Sequence, residues 1–234
     1  MNFTQRCTES EIMDDPNLDA GSLKKVLLDI NKVNKILNGF PITLNAIKKL
    51  IKNNPKKSYT IIDLGCGDGH MLREVANYFK STGIEVNLVG VDLNEKALGI
   101  ARINSINHRN ITYLQRDVLL MDPNELQCDI ILCTLTMHHF KNEEIPEFLR
   151  KAISCACIGI IINDLQRSKI AYYLFQVYSV IFMQTKIAKY DGLVSIKSAF
   201  TKGELQELSK LFPEANHELN WKWAFRYLWI IRLK

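Results

Sequence analysis

The chemistry in this 234-residue chain concentrates where apolar runs end. Tyr59-Thr-Ile-Ile-Asp-Leu-Gly-Cys-Gly-Asp-Gly-His70 passes from a β-type run into glycines at alternate positions, Gly65, Gly67 and Gly69. Beyond them Met71, Leu72, Val75 and Ala76 take up helical spacing. A strand that turns through glycines into a helix brings a ligand against bare backbone, as nicotinamide, flavin and sulfonium nucleotides all require. Later apolar runs end in polar groups as well. Gly90-Val-Asp92 places an acid to bond two ribose hydroxyls, and Gln115-Arg-Asp117 an acid to accept from an adenine amino group. Leu135-Thr-Met-His-His-Phe140 closes the next run with two imidazoles. One glycine turn says little; with acids at the next two strand ends it describes a nucleotide site.

Asp63 and His70 sort the nucleotides. A dinucleotide fingerprint asks for a third small residue at position 70, where this chain has histidine. A pyrophosphate would be repelled by Asp63, whereas the ammonium and sulfonium of S-adenosylmethionine would be attracted. At an effective dielectric of ~20, unit charges about 4 Å apart interact by roughly 4 kcal/mol before desolvation. Over about residues 57–164 these motifs resemble the class I S-adenosylmethionine-dependent methyltransferases. The resemblance implies S-adenosylmethionine as cofactor, with Asp63, Gly65, Cys66 and Gly67 along its methionine part and Asp92 on the ribose. It further implies Asp117 and Val118 at the adenine, with Leu93 and Leu135 also in the cofactor site. His-His-Phe after the fourth strand is similar to small-molecule methyltransferases of the ubiquinone/menaquinone type. Asn163-Asp-Leu-Gln-Arg-Ser168 followed by Ala171-Tyr-Tyr173 resembles a bacterial subgroup associated with polyketide or phenolic products.

The expected reaction is methyl transfer to a small aromatic or polyketide-like acceptor, at oxygen first and carbon second. Such a transfer needs alignment and a group to take the acceptor's proton, for which histidine suits near neutral pH. His138 is the expected base, with His139 packed behind it and Asp164, which ends the fifth strand, orienting the imidazole. Arg167, Tyr172 and Tyr173 are expected to line the acceptor site. Amide- and amino-nitrogen methyltransferases carry Asn/Asp-Pro-Pro-Tyr/Phe after the fourth strand, and cytosine C5 enzymes need Pro-Cys; both are absent here. No acid lies near Leu135–Met137 to serve a divalent-metal catechol type, so no metal is expected. An RNA or protein methyltransferase is the enzymatic alternative. A non-catalytic S-adenosylmethionine-binding interaction protein is the alternative from another class.

These groups need a scaffold that delivers strand ends to one edge. Strands are expected at Tyr59–Leu64, Val86–Asp92, Ile111–Gln115, Cys128–Thr134 and Cys157–Asp164, alternating with helices at His70–Lys80, Glu95–Asn107 and Glu143–Ser154. The alternation predicts an α/β fold: a seven-stranded, mostly parallel sheet with helices on both faces. The aromatic alternation from Trp221 to Trp229 predicts an antiparallel C-terminal edge hairpin that turns at Ala224-Phe-Arg226 and explains the tryptophans as sheet faces. Residues 1–54 read as an N-terminal helical segment: Ala20–Leu37, a break at Asn38-Gly39 and Pro41, then Asn45–Lys52. Its acidic start, Glu9–Asp19, suggests a lid, ahead of a methyltransferase domain at 55–234. Within that domain, about 165–200 reads as a helical cap insertion covering a pocket or forming a dimer face. Thr201-Lys-Gly-Glu204 reads as a capping box opening a helix to about Phe212.

Composition bounds the rest. With 47% hydrophobic and 24% charged residues the chain supports one sizeable core. The net charge of +5 comes from basic pairs on solvated helix faces, not from a nucleic-acid surface. Six cysteines without a C-x-x-C pair read as buried, reduced thiols. Gln176 and Gln184 interrupt the aromatic run after Arg167 before it reaches membrane-spanning length. The start lacks a secretory apolar run, which predicts a cytoplasmic location.

Overall fold

The computed structural model describes residues 3–233. Its sheet has the order β3-β2-β1-β4-β5-β7-β6, with β1 Ser58–Leu64, β2 Glu85–Asp92, β3 Ile111–Gln115, β4 Cys128–Thr134, β5 Ala156–Leu165, β6 Asn216–Lys222 and β7 Arg226–Arg232. β3, β2, β1, β4 and β5 run parallel, while β7 pairs antiparallel with β5 and β6 with β7. The expected seven-stranded α/β sheet with its edge hairpin is therefore present. Parallel order carries the C-terminal ends of β1 to β5 to one edge, so Asp63, Asp92, Gln115, Thr134 and Asp164 end up on a common rim.

The helices are α1 Ala20–Ile36, α2 Gly39–Asn53, α3 His70–Phe79, α4 Glu95–Asn104, α5 Ile145–Cys155, α6 Lys169–Phe182, α7 Lys186–Ser198 and α8 Lys202–Lys210. Alternate residues of each strand feed opposite cores. Ile61, Leu88, Ile130 and Ile161 pack with Ile47 and Leu50 of α2 and Leu72 and Val75 of α3. Ile62, Ile131 and Ile162 pack on the other face with Phe148 and Leu149 of α5 and Leu205 of α8. Burial on both faces explains why β1 reads as a nearly unbroken apolar run.

Two expectations about helices need correction. Pro41 does not separate the N-terminal helices; it sits in the first turn of α2, where a missing N–H breaks no intrahelical bond. The helical cap expected at about 165–200 is not a single helix but two, α6 and α7. It breaks at Met183–Thr185 because the buried Asp29 carboxylate of α1 accepts from Gln184 N (3.0 Å), Thr185 N (2.8 Å) and Thr185 Oγ1 (3.0 Å). Thr185 then caps α7 by accepting from Ala188 N. The capping box at Thr201 and Glu204 is formed, although α8 stops at Lys210.

The outer side of α6 leaves Ile170, Tyr173, Val177, Val180 and Ile181 exposed. Among the described residues no helix is long and apolar enough to cross a membrane. All six cysteines are free; four are buried, Cys7 is half-buried, and Cys157 is exposed, against expectation, at the start of β5, where the register with β4 shifts.

Candidate active site

The glycine turn folds as it does because its backbone enters the left-handed region at Gly65 (φ 73°), Gly67 (φ 53°) and Gly69 (φ 74°). Space excludes side chains at two of these. A Cβ on Gly65 would lie 2.3 Å from Thr136 Cγ2, and one on Gly69 would lie 2.0 Å from the Tyr113 hydroxyl. The turn is tied to β2: Gly65 N and Cys66 N donate to the Val91 carbonyl, and Gly67 N donates to Asp92 Oδ2 at 2.8 Å. Asp92 Oδ1 accepts from Asn94 N at 2.9 Å, so one carboxylate fixes both the turn and the start of α4. Asp68 joins the turn to its surroundings, accepting from Asn31 of α1 (3.0 Å) and Arg73 of α3 (3.2 Å).

Asp63 stands apart from these satisfied groups. It is buried, and its Oδ1 has no hydrogen-bond partner among the described residues. Burial, reinforced by Asp92, pushes its pKa up to about 8. A buried carboxyl group with an unpartnered oxygen on a cavity wall is one that a bound cation would hold ionised. Asp117 Oδ1 accepts from Leu119 N (2.8 Å), Val118 is buried, and Leu93 is exposed on the rim. All of the residues expected to hold the cofactor line one cavity of about 1120 Å³.

At the end of β4 the chain turns through Leu135 (φ 55°) into a short 3-10 turn, Met137–His139. His138 is buried there, with Nδ1 2.6 Å from Asp164 Oδ1 and its own backbone N–H on Asp164 Oδ2. Its Nε2 faces Glu11 Oε1 at 3.5 Å. His139 places Nδ1 2.9 Å from Asp14 Oδ2 and Nε2 3.9 Å from the same Glu11 oxygen. Glu11 precedes and Asp14 ends a 3-10 turn, Ile12–Asp14, pinned to α7 because Ile12 N and Met13 N donate to Asp191 (2.8 and 3.0 Å). Burial alone would depress the His138 pKa; Asp164 and Glu11 outweigh it and hold it up, at about 10. The same pairing holds Asp164 down against its own burial.

His138, His139 and Asp164 thus come together as expected, but with two acids from the N-terminal segment that the sequence reading placed only in a general lid. Arg167, Tyr172 and Tyr173 are not brought to the cavity wall. Arg167 is buried elsewhere, bonding the Ala199 (2.6 Å) and Phe3 (3.0 Å) carbonyls and Glu204 (2.5 Å), because it joins β5, α8 and the N-terminus. Tyr172 packs edge-on against Phe3 and Tyr173, and Tyr173 is exposed. The face of α6 that does line the cavity is one helical step away: Ala171, Leu174, Phe175 and Tyr178. The hairpin tip contributes too. Trp223, Phe225 and Arg226 line the cavity, so sheet packing alone does not account for the tail aromatics. Arg226 is buried, and its Nε and Nη1 have no partner among the described residues.

Residues 61–156 match the methyltransferase domain family model. The chain carries a methyltransferase domain. Its fold is that of the plantazolicin methyltransferase BpumL in complex with SAH, at TM-score 0.69 and 17% identity over 94% of this chain and 92% of that one. BpumL with a triazolic desmethylPZN analogue and SAH gives TM-score 0.65 at 17% identity, covering 88% of this chain and 90% of that one. Magnesium protoporphyrin IX methyltransferase from Synechocystis PCC 6803 with SAH gives TM-score 0.58 at 14% identity, covering 86% and 87%. At these identities the likeness is one of fold. The domain match over residues 61–156 and this fold together support an S-adenosylmethionine-dependent methyltransferase. The orphaned Asp63 carboxylate fits the ammonium of that cofactor, and Asp92 at the end of β2 fits its ribose.

Proposed function

We propose that the methyltransferase methylates an oxygen, or secondarily a carbon, of a small aromatic or polyketide-like acceptor. The observation that carries this reading is the second half of the cavity. Beyond the glycine turn its walls are apolar, built from Leu174, Phe175 and Tyr178 of α6 with Met183 and Ile196, and broken by a few placed polar groups. That is a pocket for a small apolar molecule with one or two polar handles.

When bound, S-adenosylmethionine supplies an electrophilic methyl group on a sulfonium. Asp63 holds the ammonium, Asp92 the ribose hydroxyls, and Asp117 with Val118 the adenine. Orientation by such contacts accounts for several kcal/mol of the barrier to an in-line displacement. The acceptor oxygen is placed against Glu11, His138 and His139. Asp164 and Glu11 keep His138 protonated at neutral pH, so His138 orients and charges the cluster. The hydroxyl proton leaves toward Glu11 and His139, which line the same cavity. Arg226, with free guanidinium donors, reads an anionic or carbonyl oxygen elsewhere on the acceptor. Within the N-terminal segment the stretch from Glu11 to Pro16 serves as the lid, since Glu11, Met13, Asp14 and Pro16 line the cavity, whereas α2 belongs to the sheet core.

Incubation with S-adenosylmethionine and a panel of phenols and diketones, followed by mass spectrometry, tests the reading. Gain of one methyl group on a small acceptor is the expected result. Transfer to RNA or protein, with salt-sensitive binding of that polymer and none to the panel, would replace it.

A further inference from the structure

We propose that Glu11, His138 and His139 form a binding site for one divalent first-row transition-metal ion. The expectation of no metal rested on the missing acid at Leu135–Met137. The fold supplies that acid from far upstream, as Glu11. One ligand atom from each of the three residues lies within 4.8 Å of the others.

The separations fit a shared ion better than a direct hydrogen bond. Glu11 Oε1 lies 3.5 Å from His138 Nε2 and 3.9 Å from His139 Nε2. Good N–H···O bonds run at about 2.7–3.2 Å. Ligands each about 2.0–2.2 Å from one ion stand roughly 3–3.5 Å apart, so the two Glu11 distances need to close by at most a few tenths of an ångström, and rotation of the His139 ring brings the third ligand in. Both imidazoles are already oriented for it. Nδ1 of His138 is held by Asp164 at 2.6 Å and Nδ1 of His139 by Asp14 at 2.9 Å. A carboxylate on one ring nitrogen fixes the other as the ligating atom, the usual support of a metal-bound histidine, and the incoming ion displaces the proton that Nε2 of His138 carries without it. Ser195 Oγ at 2.5 Å fixes the Glu11 oxygen.

Two imidazoles and one carboxylate favour ions of the Zn²⁺, Fe²⁺, Mn²⁺ and Co²⁺ class over Mg²⁺ or Ca²⁺, which select all-oxygen sets. Three protein ligands leave at least one position open, and all three line the cavity. The use of the ion in catalysis rests on the methyl-transfer reading; its binding does not. With the ion bound, Glu11 and His139 hold it instead of receiving the acceptor's proton, and a hydroxyl at the open position loses that proton to water more readily. The oxygen then forms its bond to the methyl group as the carbon–sulfur bond breaks and its electron pair stays on sulfur. The ion keeps its oxidation state throughout.

Full-length protein treated with EDTA is titrated with Co²⁺ and followed by visible absorption, with SAH binding measured on the same sample by calorimetry. One Co²⁺ per chain with a ligand-field band, displaced by Zn²⁺, is expected. Glu11→Gln and His139→Ala should each weaken Co²⁺ binding by more than about 10-fold, and the half-exposed Asp14→Asn by roughly 10-fold. His108→Ala, whose ring is bonded to Asn77, should leave it unchanged. Circular dichroism on each variant shows that the fold is kept, and the wild-type stoichiometry stands whether or not a variant folds. Absence of saturable Co²⁺ or Zn²⁺ binding by about 1 mM, or binding that survives in Glu11→Gln and His139→Ala, overturns the proposal. SAH binding without metal binding defeats the ion site alone; loss of both defeats the methyl-transfer reading as well.

Discussion

Replacing Asp63 with asparagine should separate what this carboxyl group does to the fold from what it does for the cofactor. Its pKa in the cofactor-free protein is about 8, raised from 3.8 by burial and by Asp92. At about 1.36 kcal/mol per unit, that shift is worth on the order of 5 kcal/mol, an upper bound because local relaxation reduces it. The folded chain binds this proton more tightly than the unfolded chain. Cofactor-free stability therefore falls as pH rises from about 4 to about 8 and levels off above that. Asp63→Asn should flatten this slope, so thermal unfolding at pH 8 should show the variant as stable as the wild type or more so. Cofactor binding should move in the opposite direction. At pH 7 roughly nine-tenths of the Asp63 carboxyls carry a proton, and an arriving ammonium expels it. Calorimetry at pH 7 in buffers of different ionisation heat should then report about 0.9 proton released per S-adenosylmethionine. The variant should release none and bind on the order of 10- to 100-fold more weakly, the loss of a hydrogen bond between charged groups. Equal affinity in Asp63→Asn, or wild-type binding without proton release, would refute the reasoning.

Three further substitutions probe the rest of the site. Asp92→Ala removes the acceptor for Gly67 N and Asn94 N and should weaken cofactor binding by more than about 1 kcal/mol in the same calorimetric assay. Gly69→Ala combines a positive φ with a clash against Tyr113 and should cost at least about 2 kcal/mol in denaturant unfolding, whereas Gly83→Ala, with equal φ and open space, should cost about 1 kcal/mol. Arg226→Met removes a buried charge whose Nε and Nη1 lack hydrogen-bond partners, so the melting temperature should hold or rise. Its KM for the acceptor should nevertheless climb about 10-fold or more with cofactor affinity unchanged; an unchanged KM would free Arg226 of any part in acceptor recognition.

The parallel half of the molecule was legible because β1, β4 and β5 are buried along most of their length and read as apolar runs, and because the β1 and β2 ends carry the glycine turn and Asp92. β3 and β4 fall on the boundaries the sequence predicts, and β1, β2 and β5 within two residues of them. What stayed hidden was whatever long-range contacts decide. The cap breaks at Gln184 because Asp29, distant in sequence, offers a carboxylate to two N–H groups and a hydroxyl. Helical spacing could not choose which side of α6 faces inward, because nearly all of its residues are apolar or aromatic; Leu174 and Phe175 face the cavity where Tyr172 and Tyr173 were expected. Glu11 and Asp14 carried a weak signal, an acidic stretch ahead of a helix. Only the fold shows that they meet the two histidines.

A structure with SAH bound is the most direct test of the account. The prediction is an ammonium on Asp63, both ribose hydroxyls on Asp92, and the sulfur turned toward Glu11, His138 and His139 with the apolar pocket of Leu174 and Phe175 beyond it. A sulfur turned away from that cluster, or Asp63 still without a partner beside the bound ligand, would contradict it.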